Sequence, residues 1–141
     1  MKGQIEYRFS RIEVEQFAII KDSVSDPDGD IQYSTECQFM YDKEHFVLVS
    51  KILVNMSQGE DLLLKAEVDS SFQITPSSIE TLTKDGSIVF PADALVQFAS
   101  LCYGTLRGII HIKTTGTQLN QYILPPVYLH ETIKQSFVVK E

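Results

Sequence analysis

Apolar positions recur at every second residue through the first half of the chain, and at every third or fourth residue after Pro91. That change of period predicts a set of strands followed by one long helix. Over residues 4–9, Ile5, Tyr7 and Phe9 share one side while Glu6 and Arg8 share the other. The phase slips beyond Phe9, because Ile12 and Val14 continue on even numbers. A bulge or a bend near Ser10-Arg11 would explain this. Phe17 to Ile20 extends this strand. Asp26-Pro27-Asp28-Gly29-Asp30 is the strongest turn signal in the chain.

The second strand places Ile31, Tyr33, Cys37, Phe39 and Tyr41 against Gln32, Ser34, Glu36, Gln38 and Asp42. Asp42-Lys43-Glu44 turns into a third strand running from about His45 to Ser57. Ser57-Gln58-Gly59-Glu60 is a hairpin loop leading to the fourth. There Leu62, Leu64, Ala66, Val68, Phe72 and Ile74 lie on one face, opposite Lys65, Glu67, Asp69 and Gln73. Consecutive strands joined by short polar loops predict an antiparallel meander. Thr75-Pro76 opens a short helical turn over 77–82, and Lys84-Asp85-Gly86 is a loop.

Pro91 suits the first position of a helix, since its φ is already helical and its missing N–H is not needed there. Leu95, Phe98, Ala99, Cys102, Leu106, Ile109 and Ile110 then mark one helical face, while Val96, Leu101, Tyr103 and Ile112 spread apolar character round the rest. A helix apolar on more than one side is buried on more than one side. One small sheet covers only one of them, so the chain is expected to self-associate as a homodimer or homotetramer. Leu95, Phe98, Cys102, Gly104 and Gly108 are the expected interface residues. Gly104 and Gly108 each cost a helix roughly 1 kcal/mol against alanine. They mark a close helix–helix contact, a kink or an earlier end of the helix. Gly116 is the expected helix stop. Gln118 to Leu124 reads as extended, Pro125-Pro126 as an extended crossing, and 127–135 as room for a last short helix. Phe137-Val138-Val139 is apolar enough to pack or pair.

A chain of 141 residues with this pattern is expected to form a single domain over 1–141. No apolar run reaches the length of a membrane span. Met1-Lys2-Gly3-Gln4 leads straight into alternation without the apolar stretch of a secretory leader. Cys37 and Cys102 sit singly in apolar patterns, as reduced buried thiols do. These features point to the cytoplasm. A net charge of −7 argues against nucleic-acid binding.

The search for chemistry nominates no catalyst and no cofactor. Asp26, Asp28 and Asp30 suggest a calcium loop, but Gly29 is off the required position and Cys37 stands where the closing Glu belongs. His45, His111 and His130 are scattered, without zinc-ligand spacing. No nucleophile motif or Gly-rich phosphate loop occurs, and the chain is not expected to be an enzyme.

The segment Phe90-Pro91, the pair Gly116-Thr117 and the run Leu124-Pro125-Pro126-Val127, with Tyr128-Leu129 after it, resemble landmarks of the SecB family of export chaperones. Two differences stand out. The span between the first two landmarks is longer here, and Tyr128-Leu129 replaces a polar–aromatic pair. The resemblance implies an α+β fold, a four-stranded antiparallel sheet packed on one long helix with a short C-terminal helix. It implies an ATP-independent chaperone of nonnative polypeptides, serving export with SecA as partner. Its groove would be bordered by Phe72, Phe90, Tyr122, Leu124 and Tyr128. Each of these five is equally readable as core. The rival readings are a dedicated interaction module, such as a chaperone of a toxin–antitoxin pair, and a small-ligand-binding protein using the same groove.

Overall fold

The structure, a computed structural model, describes residues 5–140. The opening Met1-Lys2-Gly3-Gln4, read above for its lack of a leader, lies outside them. Four long strands carry the fold: β1 (Tyr7–Ile19), β2 (Gln32–Asp42), β3 (Val47–Gln58) and β4 (Asp61–Ile74). They form one antiparallel sheet in the order β1-β4-β3-β2. The meander holds from β2 to β4, but β1 pairs with β4 rather than with its neighbour in sequence. The turn at Asp26–Asp30 is therefore part of a connection across the end of the sheet. Its Asp26 carboxylate accepts the Asp28 N–H at 3.1 Å, the local bond that makes Asp a turn former.

The expected bulge is present. The β1–β4 register shifts between Phe9 and Arg11, and again between Val14 and Gln16. Each shift inserts one residue, so Tyr7, Phe9, Ile12, Val14, Phe17 and Ile19 all pair with inward-facing positions of β4. Another shift between Met56 and Ser57 corrects the reading of β4. Leu63 is buried while Leu62 is exposed, because the extra residue reverses the facing at the strand's start.

After β4 come α1 (Pro76–Leu82), β5 (Thr83–Lys84), β6 (Ser87–Phe90), α2 (Ala92–Lys113), a 3-10 turn (Gln118–Gln121), α3 (Leu129–Thr132) and β7 (Phe137–Lys140). Thr75 caps α1, its hydroxyl accepting the Ser78 N–H. Pro91 is extended and stands just outside α2 instead of opening it. Gly116, at φ +86°, turns the chain away after α2. The segment expected to run extended from Gln118 winds first into the 3-10 turn. Phe137–Lys140 pairs with β6, making a second, three-stranded sheet β5-β6-β7 that sequence periodicity did not predict.

α2 lies on the inner face of β3 and β4. Leu95, Phe98, Ala99, Cys102, Leu106 and Ile110 are buried there, against the inward side chains of the two strands, from Leu48 to Met56 and from Leu64 to Ile74. Fully burying an aliphatic or aromatic side chain contributes about 1.5–3 kcal/mol. The Cys102 thiol donates to the Ser50 carbonyl at 3.3 Å, so it is held inside the protomer. The β-branched run Ile109-Ile110-His111-Ile112 stays helical, and α2 passes Gly104 and Gly108 without interruption. Neither glycine ends the helix.

Candidate functional site

The inner face of the sheet has three lanes. The central one, β3 and β4, is closed by α2. The two outer lanes differ, and the exposed apolar surface follows from that difference.

Over β2 runs the segment after the 3-10 turn. Leu124 and Leu129 are buried in the same cluster that holds Tyr33, Cys37 and Phe39 of β2 half-buried. The segment is tied to α2 by the Tyr103 hydroxyl, which donates to the Pro125 carbonyl at 2.6 Å. Beyond α3, Phe137 meets Phe39 with ring centroids 6.3 Å apart. This strap buries Leu124 and Leu129 and presents residues between and beside them. Ile123 is 61% exposed and Tyr128 67% exposed, with Tyr122 and Val127 half-buried beside them. Residues 122–128 belong to neither helix nor strand. Among the described residues, the N–H groups of Ile123, Leu124, Val127 and Tyr128 donate to no protein acceptor. The diproline explains this, since it removes two donors and forbids helix before it.

Burial raises the Tyr33 phenol above its ordinary range, with Tyr122 adding to the effect. The Cys37 thiol beneath the strap is pushed up to about 11, first by burial and then by Cys102, against an opposing hydrogen bond from Ser50. These groups stay neutral near pH 7. The covered lane is thus an uncharged, aromatic surface.

Among the described residues, no strap runs over the middle of β1. Phe9 is 36% exposed, Ile12 51% and Val14 41%, although all three point to the inner face. The flank of α2 meets the strand on either side of them, at Tyr7 and at Phe17. Gln97 donates to the Tyr7 hydroxyl at 2.9 Å, and Phe98 meets the Tyr7 ring edge-on at 4.8 Å. Sixteen positions on along the helix, the Lys113 ammonium stands 5.5 Å from the Phe17 ring centre. Between these contacts, Leu101 and Ile112 are exposed, and nothing lies within 4 Å of a side chain built at Gly104 or Gly108. The glycines make no close helix contact inside the protomer.

Of the sequence-predicted groove residues, Phe72, Phe90 and Leu124 are buried in the protomer, Tyr122 is half-buried and Tyr128 is open. Phe72 lies in an aromatic cluster with Tyr7, Phe9 and Phe98, and Phe90 stacks on Phe137. Only Tyr122, Leu124 and Tyr128 share one element. Of the interface set, Leu95, Phe98 and Cys102 are buried under α2, while Gly104 and Gly108 are exposed on its outer side. Sequence reasoning overlooked Ile123 and the bare row Phe9, Ile12 and Val14. The row was legible as alternation, but its exposure depends on where the helix sits.

A separate cleft of about 670 Å³ opens between Tyr7, Leu82, Lys84, Asp93, Gln97 and Phe98. No histidine or cysteine lines it. On the outer face of the sheet, carboxylate oxygens of Glu13, Glu15 and Asp69 lie within 4.8 Å of one another. Lys51 reaches Asp69 at 3.6 Å and Glu67 at 3.7 Å. Among the described residues, no helix is long and apolar enough to cross a membrane.

No family model matches this sequence, and no curated protein does. In structure the chain is similar to the SecB-like chaperone Rv1957 of Mycobacterium tuberculosis, solved in complex with a ChAD peptide from the HigA1 antitoxin. The TM-score is 0.48 at 15% identity, over 88% of this chain and 90% of that one. It is also similar to a protein of unknown function from Streptococcus agalactiae, with a TM-score of 0.43 at 10% identity, over 89% of this chain and all of the other.

Proposed function

We propose that this protein is a SecB-like molecular chaperone that holds nonnative polypeptide without ATP, seating it on the strap beside β2. One observation carries the reading. Ile123 and Tyr128 stand exposed on backbone whose N–H groups, among the described residues, have no protein acceptor. An extended client bonds such a segment through its own main chain and lays alternate side chains on the apolar surface. A surface of that kind accepts many sequences and rejects folded domains, which offer no free backbone. The two free thiols suit a reducing compartment.

The test is aggregation of three unrelated denatured substrates, followed by light scattering without nucleotide. The protein is expected to delay all three at several-fold molar excess. Tyr128→Ala is expected to weaken client affinity about tenfold, the size of a modest hot spot, while the protomer stays folded. Salt is expected to change the affinity little, because screening acts on charges and not on apolar contact. Protection of none of the three would replace the general holdase with a module dedicated to one partner. Binding that collapses at moderate salt would move the client to the charged outer face of the sheet.

A further inference from the structure

The main-chain groups of the strap are not all alike. Among the described residues, the N–H groups of Ile123, Leu124, Val127 and Tyr128 have no protein acceptor, and the carbonyls of Ile123, Leu124, Pro126 and Val127 accept no protein donor. Pro125 differs on both counts. As a proline it has no N–H. Its carbonyl is turned to α2, where it accepts the Tyr103 hydroxyl at 2.6 Å. Tyr103 is only 6% exposed, so this bond is sheltered from water. Among the described residues it is also the one hydrogen bond that ties residues 122–128 to the body of the protein. The other bonds of the strap run to Leu119 and Glu131, in the same stretch of chain. The strap is therefore open for main-chain bonding toward both ends and closed at its middle residue.

That pattern bears on which polypeptides fit. Proline is shut out of the interior of an ordinary ladder, because it brings no N–H and leaves a partner carbonyl unpaired. Opposite Ile123 or Val127 the rule holds, since a client proline there forfeits a bond to an open strap carbonyl. Opposite Pro125 the rule is lifted. A client N–H at that point finds the strap carbonyl turned away to Tyr103, and a donor covered without a partner is costly. A client proline has no such donor to strand. Pro125 and Pro126 are both exposed, and their rings give it apolar surface to lie on.

We propose, resting on the strap as the client site, that it favours nonnative segments carrying a proline at the centre of an extended run. Strand addition normally rejects that class. The two ends of the strap bond the client's main chain, and the centre bonds none of it. Tyr103 is the specificity-determining residue, acting through the Pro125 carbonyl that it holds.

A proline scan of the client, on the full wild-type chain, tests this. The probe is a fluorescein-labelled seven-residue peptide of alternating leucine and serine, titrated by fluorescence anisotropy. Its length matches residues 122–128, so sliding out of register forfeits bonds at one end. Its fourth residue lies opposite Pro125 whichever way the peptide runs. Proline at the fourth position is expected to bind within about twofold of the parent peptide. Proline at the second or sixth position is expected to bind about fivefold or more weakly, as the loss of a main-chain bond dictates. In Tyr103→Phe the carbonyl is released, and the ratio of parent to centre-proline affinity is expected to rise about threefold. A strap that is merely loosened would weaken both peptides alike and leave that ratio unchanged. A profile without tolerance at the fourth position, or an unchanged ratio in Tyr103→Phe, would overturn the proposal while the strap remains the client site. Binding of none of the peptides to the wild type would overturn the strap as client site, and this specificity with it.

Discussion

β2 and β1 both end the sheet, and both turn alternate apolar side chains to the same inner face. Over β2 an irregular strap, anchored by Leu124 and Leu129, brings Tyr33, Cys37 and Phe39 to half burial. Over the middle of β1 nothing among the described residues does, and Phe9, Ile12 and Val14 remain open. The strap shows how little is needed to finish such a margin. A run of extended chain with an apolar residue every few positions is enough, without helix or ladder. What the described residues provide at β2 they do not provide over the middle of β1.

The largest effect expected from this contrast is on stability. Leu124→Ala should cost about 2–5 kcal/mol, the range for emptying a buried leucine site, measured by denaturant unfolding. Val14→Ala, at an exposed site of the bare margin, should cost the isolated protomer well under half of that. Equal costs would mean that the strap is only draped over β2 and does not close it.

Next is thiol reactivity. The Cys37 thiol, raised to about 11 from an ordinary 9.0, should have a roughly hundredfold smaller thiolate fraction near pH 8, and the thiolate is the reactive form. Its labelling should be slower by about that factor than labelling of a Phe9→Cys variant at the bare margin. Similar rates at the two sites would erase the distinction between a covered lane and an open one.

The smallest effect concerns the turn that sets β2 against β3. The His45 Nδ1 lies 2.8 Å from the Asp42 carboxylate. Their mutual hydrogen bond is the main cause of both shifts, lowering Asp42 and raising His45. A lowered carboxylate favours the folded state above its ordinary value of 3.8, and that help is lost as pH falls through the folded value. A raised histidine favours it below its ordinary value of 6.5, and that help is lost as pH rises through the folded value. The pair should therefore act between about pH 4 and 6.5 and fade on both sides. Thermal melts of His45→Gln should show a slightly flatter pH dependence on either side of that window. An unchanged profile would mean that both groups are fully solvated. Both side chains are largely exposed, so the effect is small.

The strands, the bulge at Ser10, the turn at Asp26 and the long helix were legible because each leaves a local mark: a period, a phase slip, a turn composition or a Phe-Pro. Strand order left none. Nothing in β1 says that its neighbour is β4, since pairing with either would satisfy the same alternation. The second sheet was hidden for a related reason. Ser87–Phe90 and Phe137–Lys140 are too short to show a period, and they become strands only on meeting. The aromatics of the expected groove divide along the same line. Phe72 and Phe90 sit on elements that other elements cover, whereas Tyr122 and Tyr128 sit on the chain that does the covering. A sequence states which residues are apolar, but covering is decided between elements.

The strand order also bears on how the chain reaches this state during synthesis. β1 leaves the ribosome ahead of the other three long strands, yet its ladder partner β4 is made only after β2 and β3. The β2–β3–β4 meander can assemble from local contacts as it emerges, while β1 must close a long loop before it gains a single ladder bond. For that interval its apolar row is free in the nascent chain, exposed to the misassembly that unpaired edges invite. The opposite charges of Arg11 and Glu13 flank Ile12 in that waiting strand. They should keep it from pairing with strangers before β4 arrives.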